Sequence, residues 1–194
     1  MKRTIFNYSS FILLLLFLTL ANGCRYMKGA ANVAFLGDSL TRGWFYPHDN
    51  YGIFGNNSAQ ILKRSSAVLR THKYKTLILL GGTNDVLQHV NPAVTIKNLR
   101  TIGETAQEAG IEPVLCEIPP IFHSWMKEDK SDYTSNVLAL NKQIVTLANE
   151  HHWKLVDYYD PIAGHPEYTS DGVHMKRRGY WAMEQALVQA MPSS

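Results

Sequence analysis

The sequence has few of the features that mark several large classes of protein. Only two of its 194 residues are cysteine, and charged residues make up 18% of the chain. The net charge of +3 is weak and shows no concentrated basic stripe, which argues against a nucleic-acid partner. No repeat period or low-complexity tract is visible. With 45% hydrophobic residues, the chain has the balance of one folded globular domain.

Several short motifs are also missing. No G-x-G-x-x-G loop is present to cradle a phosphate, which argues against nucleotide or flavin binding. No G-x-S-x-G segment is present, which argues against the nucleophile turn of ordinary α/β-hydrolases. No cysteine or carboxylate falls at ligand spacing around His151 and His152, so we interpret that pair as a solvated helix end and expect no metal site.

Long apolar runs are missing except near the N-terminus, where residues 11–20 read FILLLLFLTL after a short positive region. This run is too short to span a bilayer comfortably but matches the apolar region of a secretory signal. The next residues, ANGC, resemble a lipobox, although Leu20 is one position further from Cys24 than usual. We therefore expect residues 1–23 to be a signal peptide and the chain to be exported. The product would be secreted, or anchored in the periplasm or cell envelope through lipid on Cys24, and Cys116 would remain an unpaired buried thiol.

The rest of the chain alternates short apolar runs with longer segments of helical periodicity. Candidate strands lie at residues 33–36, 51–54, 76–80, 113–118 and 154–158, and candidate helices at 58–70, 92–109, 135–150 and 176–191. This β-α-β-α order predicts a parallel sheet with helices on both faces. We therefore predict one α/β domain over residues 30–191, a three-layer α/β/α, flavodoxin-like fold with a five-stranded parallel sheet. In such folds, sites form beyond the carboxyl ends of the strands.

The first candidate strand runs directly into Gly37, Asp38 and Ser39, in the stretch VAFLGDSL. The glycine could make a turn while Asp38 or Ser39 caps the following helix. Alternatively, a serine held at the edge of the sheet could act as a nucleophile. The stretch alone is compatible with both interpretations.

Near the C-terminus, Asp171 precedes His174 by three residues, a spacing that makes two side chains neighbours on a helical turn. The aspartate could accept the imidazole Nδ1–H, which leaves Nε2 free to take a proton from a hydroxyl. Asp157 and Asp160 follow the fifth candidate strand and compete for this role, but the spacing favours Asp171. The alternative is a helix-capping aspartate with an unrelated histidine one turn later.

Two glycine-containing loops could supply hydrogen-bond donors to the same place. GGTND, residues 81–85, follows a buried strand and presents the side-chain amide of Asn84 at the sheet edge. Such a donor could stabilise an oxyanion, or the segment could be a turn with a helix cap. The backbone N–H of Gly55, after the second strand, could be a further donor to this oxyanion, and Gly52 is the alternative candidate for the same role.

In series, GDSL, the glycine loop, GGTND and D-x-x-H resemble the sequence blocks of the SGNH hydrolases, also called the GDSL esterase/lipase family. The resemblance covers about residues 33–187. Smaller echoes are the IPP at residues 118–120 and the Leu140-Asn141 pair ahead of the last strand. The combination is far more specific than any one of its blocks.

The resemblance implies hydrolysis of carboxylic esters through an acyl-serine intermediate, without metal or cofactor. Ser39 would be the nucleophile, His174 its general base and then acid, and Asp171 the residue that orients the imidazole. The oxyanion hole would consist of the Ser39 N–H, the Gly55 N–H and the Asn84 side chain. The substrate would be a small-molecule, glycan or lipid ester, either a short acyl or acetyl ester or a lysophospholipid- or thioester-type compound.

Other features leave alternatives open. A cell-surface ligand- or glycan-binding module could keep this fold without turnover, although a binder has no need of a serine, a base and oxyanion donors together. The basic run at residues 176–178 is either a solvated helix face or a contact for anionic lipid. Trp44, Phe45 and Tyr46 are the first residues to consider for substrate contact, although such aromatics more often pack in a core.

Overall fold

A computed structural model describes residues 32–44, 49–122 and 133–191. Several predicted features lie outside these residues: the signal peptide at 1–23, Cys24, Phe45 and Tyr46.

The core of the fold is a five-stranded, all-parallel sheet with the spatial order β2-β1-β3-β4-β5. The strands are β1 (Val33–Gly37), β2 (Asn50–Gly52), β3 (Thr76–Leu80), β4 (Glu112–Cys116) and β5 (Lys154–Val156). The chain moves outward from β1 to β2 and then crosses back to β3 on the other side of β1. This reversal leaves a crevice at the carboxyl ends of β1 and β3, which is where sheets of this kind bind ligands.

In the described part of the chain, six α-helices connect and cover the strands. They are α1 (Ser39–Arg42), α2 (Ser58–Leu69), α3 (Thr83–Leu87), α4 (Pro92–Glu108), α5 (Tyr133–His151) and α6 (Arg177–Ala190), and one turn of 3-10 helix lies at Pro166–Tyr168. Right-handed crossovers place α2, α4 and α5 on one face of the sheet. Helix α6 follows the last strand and lies on the other face beside α1, where the Tyr180 hydroxyl donates to the Leu40 carbonyl. The predicted three-layer α/β fold with a five-stranded parallel sheet is confirmed.

The sheet is buried on both faces, as its apolar strands require. Every residue of β3 is buried, and the core also contains the buried side chains of α4 and α5, among them Leu99, Ile102, Leu140 and Ile144. None of the helices in the described part of the chain has the length and apolarity that a membrane crossing needs.

The second strand differs from the prediction. It ends at Gly52, whereas the sequence pattern placed it at residues 51–54. Ile53 and Phe54 are exposed instead, and a turn closed by the Asn56 N–H donating to the Ile53 carbonyl carries them away from the sheet. This turn brings Gly55 to the same end of the sheet as Ser39.

Candidate active site

Ser39 is the first residue of α1 and follows β1 after a single intervening residue, Asp38. The Asp38 carboxylate, not the serine, caps the helix, because its Oδ1 accepts the Leu40 N–H at 2.9 Å. The Ser39 hydroxyl is therefore free for another partner. Its Oγ lies 3.0 Å from the Nε2 of His174, 135 residues later in the chain.

The imidazole of His174 is held from its other side. Its Nδ1 lies 2.6 Å from Oδ2 of Asp171, so the ring bridges a carboxylate and a hydroxyl. A carboxylate at Nδ1 favours the tautomer that carries the proton there and leaves Nε2 as an acceptor for the serine proton. Ser39, His174 and Asp171 thus form one continuous hydrogen-bonded chain.

The Asp171–His174 pair is not on a helical turn, and in this respect the sequence interpretation is wrong. The segment is a tight loop whose ends are joined by a bridge between Thr169 and Met175. Within it, Oδ1 of Asp171 accepts the N–H groups of Val173 at 3.0 Å and His174 at 2.7 Å. The three-residue spacing still brings the side chains together, because this aspartate-stabilised turn folds the backbone back as a helix would.

The two oxygens of Asp171 therefore have separate tasks: one shapes the loop and the other meets the imidazole. Burial raises the pKa of Asp171, but the hydrogen bonds from the ring and backbone of His174 and the backbone of Val173 outweigh it and hold that pKa below its usual value. The competing carboxylate of Asp157 is used elsewhere, where its Oδ1 accepts the N–H groups of Tyr159 and Asp160.

Asn84 lies in α3, directly after the carboxyl end of β3. Gly82, two residues earlier, has φ +123°, a backbone conformation that residues other than glycine rarely adopt. It turns the chain sharply from strand to helix. One N–H of the Asn84 amide donates to the carbonyl of Asn56 at 3.0 Å. This bond fixes the orientation of the amide, which carries a second N–H.

The structure distinguishes the two glycines near β2. Gly52 is buried, and its N–H donates to Oδ1 of Asn50 at 2.8 Å. Gly55 is exposed at φ +73°, in the third position of the turn from Ile53 to Asn56. That φ is typical of the glycine in a type II turn. The geometry therefore favours Gly55 over Gly52 as a backbone donor.

Asp38 is an unusual neighbour for a candidate nucleophile. It is fully buried, and its Oδ2 finds no hydrogen-bond donor among the described residues. Burial and, to a smaller extent, the nearby Asp85 raise its pKa, while the Leu40 N–H and His174 lower it, and the net result is a pKa of about 7.

The roles of two groups that shape the site, Arg64 and Asp85 (the last residue of GGTND), were not predicted from the sequence. The guanidinium of Arg64 contacts the loop of Asn56, and the buried carboxylate of Asp85 accepts the N–H and hydroxyl of Ser58 at the start of α2. One signal was visible: Arg64 lies three residues after Ile61 on the apolar face of its helix, where a cation is unusual.

Other residues singled out in the sequence lie outside this arrangement. Trp44 is buried in the core against Phe35 and Tyr158, so it does not form a substrate contact. His151 lies at the end of α5 and contacts Arg100. Within residues 32–44, 49–122 and 133–191, no three His, Cys, Asp or Glu side chains converge as metal ligands.

The site contains a serine that contacts a histidine, which in turn contacts an aspartate, and it lies at the edge of a parallel sheet where ligands bind. This arrangement is typical of serine hydrolases with an α/β fold. Comparison with family profiles agrees, because residues 35–182 match the GDSL-like lipase/acylhydrolase family. That match spans most of the chain, so the protein belongs to this family of SGNH-type esterases and acylhydrolases. Comparison with curated proteins found no match.

Solved structures show the same fold. A GDSL-like lipase from Bacteroides thetaiotaomicron is 27% identical, with 88% of this chain and 97% of that chain covered and a TM-score of 0.73. A member of the lipolytic G-D-S-L family from Veillonella parvula is 22% identical (84% and 99% covered, TM-score 0.71). An acetylxylan esterase from Geobacillus stearothermophilus is 16% identical (84% and 95% covered, TM-score 0.72). The last two likenesses concern the fold alone.

Proposed function

We propose that the protein hydrolyses carboxylic esters through an acyl-serine intermediate on Ser39. The observation that supports this most directly is the hydrogen-bonded chain from Ser39 Oγ to His174 Nε2 and from His174 Nδ1 to Asp171. A serine hydroxyl is a weak nucleophile until a base removes its proton, and this geometry provides such a base.

In the first half of the reaction, His174 Nε2 takes the proton of Ser39 while Oγ bonds to the ester carbonyl carbon. The carbonyl oxygen becomes negative and accepts hydrogen bonds from the Ser39 N–H, the Gly55 N–H and the free N–H of Asn84. The tetrahedral intermediate then expels the alcohol, which takes the proton from His174. Asp171 stabilises the transient imidazolium.

In the second half, water replaces the alcohol. His174 removes a proton from that water, whose oxygen attacks the acyl carbon and regenerates the same oxyanion contacts. The intermediate collapses to the carboxylic acid, and Ser39 Oγ recovers its proton from the imidazolium. The net change is one ester and one water converted into one acid and one alcohol.

We propose small or solvent-exposed esters, such as acetyl or other short acyl esters, as the substrate class. The Ser39 residue is only 5% exposed, but the side chain of His174 is 41% exposed and Gly55 is open to solvent. The nucleophile is therefore buried itself but lies directly beneath groups that solvent and substrate can reach. The fold is shared with an acetylxylan esterase, a protein whose name describes a substrate of this kind. Lysophospholipids and thioesters are the competing substrates.

Export remains part of the proposal. The N-terminal run at 11–20 and the ANGC segment support a signal peptide with secretion, or lipid anchoring through Cys24. An exported esterase would meet esters of the cell envelope or the surroundings. Labelling with a radioactive fatty acid would test the anchor, since a Cys24→Ser variant should lose the label.

The experiment that tests the activity is hydrolysis of p-nitrophenyl esters from acetate to palmitate by the purified protein, with Ser39→Ala as the control. We expect turnover with a short-chain optimum, and a fall in kcat of about 10⁶ in the variant. An optimum at long chains would favour the lipid-type substrates. Absence of turnover with every ester would contradict the proposal and favour a binding role.

A further inference from the structure

The half-buried guanidinium of Arg64 makes hydrogen bonds to three separate segments of the chain. Its Nη2 donates to the carbonyl of Gly37, its Nη1 donates to the carbonyl of Tyr51 at 2.6 Å, and its Nε donates to Oδ1 of Asn56 at 2.9 Å. All three acceptors are neutral oxygens, and they lie at the end of β1, in β2 and in the loop after β2. A rigid fork of donors of this kind fixes the relative positions of the groups that it contacts.

The segments that Arg64 joins carry two of the three candidate oxyanion donors, the N–H groups of Ser39 and Gly55, and one of these segments contacts the third donor, Asn84. Gly37 lies two residues before Ser39, and its carbonyl also accepts the Ile53 N–H at 3.2 Å. Asn56 follows Gly55 directly. The backbone carbonyl of this same Asn56 accepts the Asn84 amide at 3.0 Å.

We propose that Arg64 is a positioning residue for the oxyanion hole, an inference that rests on the proposed ester hydrolysis. One side chain fixes the strand that leads to Ser39 and the loop that carries Gly55. Through the carbonyl of Asn56 it also fixes the direction of the Asn84 amide. Arg64 itself does not contact the reacting atoms.

The physical reason is the strictness of oxyanion stabilisation. Donors must lie within about 2.7–3.1 Å of the place where charge develops, and they must already be oriented when it does. Here the three donors come from three different segments of the chain, so without a contact that joins them each segment could shift independently. Loss of the tie would therefore lower kcat more than it raises KM, because the misplaced donors matter mainly in the transition state.

A lysine could not replace this arginine. Its single ammonium group can approach one or two of the three oxygens, but it lacks the planar fork that reaches all of them at once. The nearby carboxyl of Asp38 interacts with Arg64 through charge, and burial lowers the pKa of Arg64 while that carboxyl raises it. No hydrogen bond between the two side chains is found in the described residues, so the carbonyl contacts carry the positioning.

A purely stabilising role for Arg64 makes a different prediction, and a double-mutant cycle separates the two. The cycle compares wild type, Arg64→Met, Asn84→Ala and the double variant by kcat and KM for p-nitrophenyl acetate. Arg70→Met is the matched control. Arg70 caps the end of the same helix, and among the described residues its guanidinium hydrogen-bonds to Ser66 of that helix alone, at 3.2 Å.

We expect Arg64→Met to lower kcat by about 10–100-fold with KM nearly unchanged, and Arg70→Met to behave as wild type. In the Asn84→Ala background the same change should cost only about 2–5-fold, because the donor that Arg64 helps to orient is already missing. Arg64→Lys should recover at most a small part of the activity.

Equal factors in both backgrounds would overturn the positioning role, as would a wild-type kcat in Arg64→Met. Thermal melting by circular dichroism identifies a variant that fails to fold. In that case Arg64→Lys takes its place in the cycle, with non-additivity as the same criterion. Wild-type protein without turnover on any ester would instead overturn the proposed function, and this inference with it.

Discussion

The replacement of Asp171 by asparagine separates the two tasks that its carboxylate performs. Oδ1 accepts the N–H groups of Val173 and His174, and Oδ2 meets Nδ1 of His174 at 2.6 Å. An asparagine side chain has the same shape and can retain the two backbone contacts through its oxygen. Its NH₂ group then faces Nδ1, where it cannot accept a hydrogen bond and must donate one.

That single exchange has a large expected effect on catalysis. With a donor at Nδ1, the imidazole must carry its proton on Nε2, so it presents a donor instead of an acceptor to Ser39. In serine hydrolases with this arrangement, the corresponding change lowers kcat by about 10⁴, or about 5 kcal/mol of transition-state stabilisation. Stability should fall by only about 1 kcal/mol, because the loop contacts of Oδ1 survive.

The assay is kcat for p-nitrophenyl acetate together with thermal unfolding, for Asp171→Asn and Asp171→Ala. We expect both variants to lose catalysis, and only the alanine variant to lose the loop contacts and a further part of its stability. If Asp171→Asn keeps kcat within about tenfold of wild type, the carboxylate serves only to shape the loop, and the assigned role for Oδ2 is refuted.

Two further predictions concern the surroundings of Ser39. Burial raises the pKa of Asp38 from its usual 3.8 to about 7, so between these values the folded protein retains a proton that the unfolded chain has lost. Stability therefore declines as pH rises through this window, by up to about 1.4 kcal/mol per pH unit, and the stability of Asp38→Asn relative to wild type should grow over the same range. Urea unfolding at several pH values checks this, and a difference that does not vary with pH would contradict it. Phe54, 68% exposed and adjacent to Gly55, is placed to contact the acyl chain of a substrate, so Phe54→Ala should raise KM for p-nitrophenyl hexanoate by about fivefold but leave that for the acetate unchanged. Equal effects on both esters would remove this contact from consideration.

The sequence predicted the fold well where burial alone decides the structure. β3 was predicted at residues 76–80 and is found there, because an uninterrupted apolar run buried on both faces allows few other conformations. The observed bounds of α2, α4 and α6 agree with the predicted bounds within two residues at each end. Apolar periodicity, Pro92 at the start of α4 and Gly110 after its end are local signals that tertiary contacts do not overrule.

Strand ends were predicted less well, because long-range contacts determine them. The fourth strand was predicted to reach Ile118, but β4 ends at Cys116. The side chain of Asn141 in α5 takes both the N–H and the carbonyl of Ile118, at 2.8 and 2.9 Å. The fifth strand stops at Val156, before the turn that Asp157 stabilises. Such contacts depend on residues far away in the chain or on loop geometry that periodicity does not encode.

In the candidate site, too, the features that depend on local sequence were predicted and those that depend on long-range contacts were not. The motif series pointed to Ser39, Asn84, Asp171 and His174, since their residue types and spacing are recognisable along the chain. The loop geometry around Asp171 was not visible, because the same spacing fits a helical turn. The position of Arg64 on an apolar helix face was a signal that the residue is unusual, but its contacts could not be predicted, since two of its three acceptors are backbone oxygens of other segments.

The most direct test of the account is covalent labelling of Ser39 with a fluorophosphonate, mapped by peptide mass spectrometry. We expect stoichiometric modification of Ser39, no modification in Ser39→Ala, and strongly slowed modification in His174→Ala, since the base 3.0 Å from Oγ is then missing. Labelling of a different residue, or an unlabelled wild-type protein, would contradict the claim that Ser39 is the activated nucleophile.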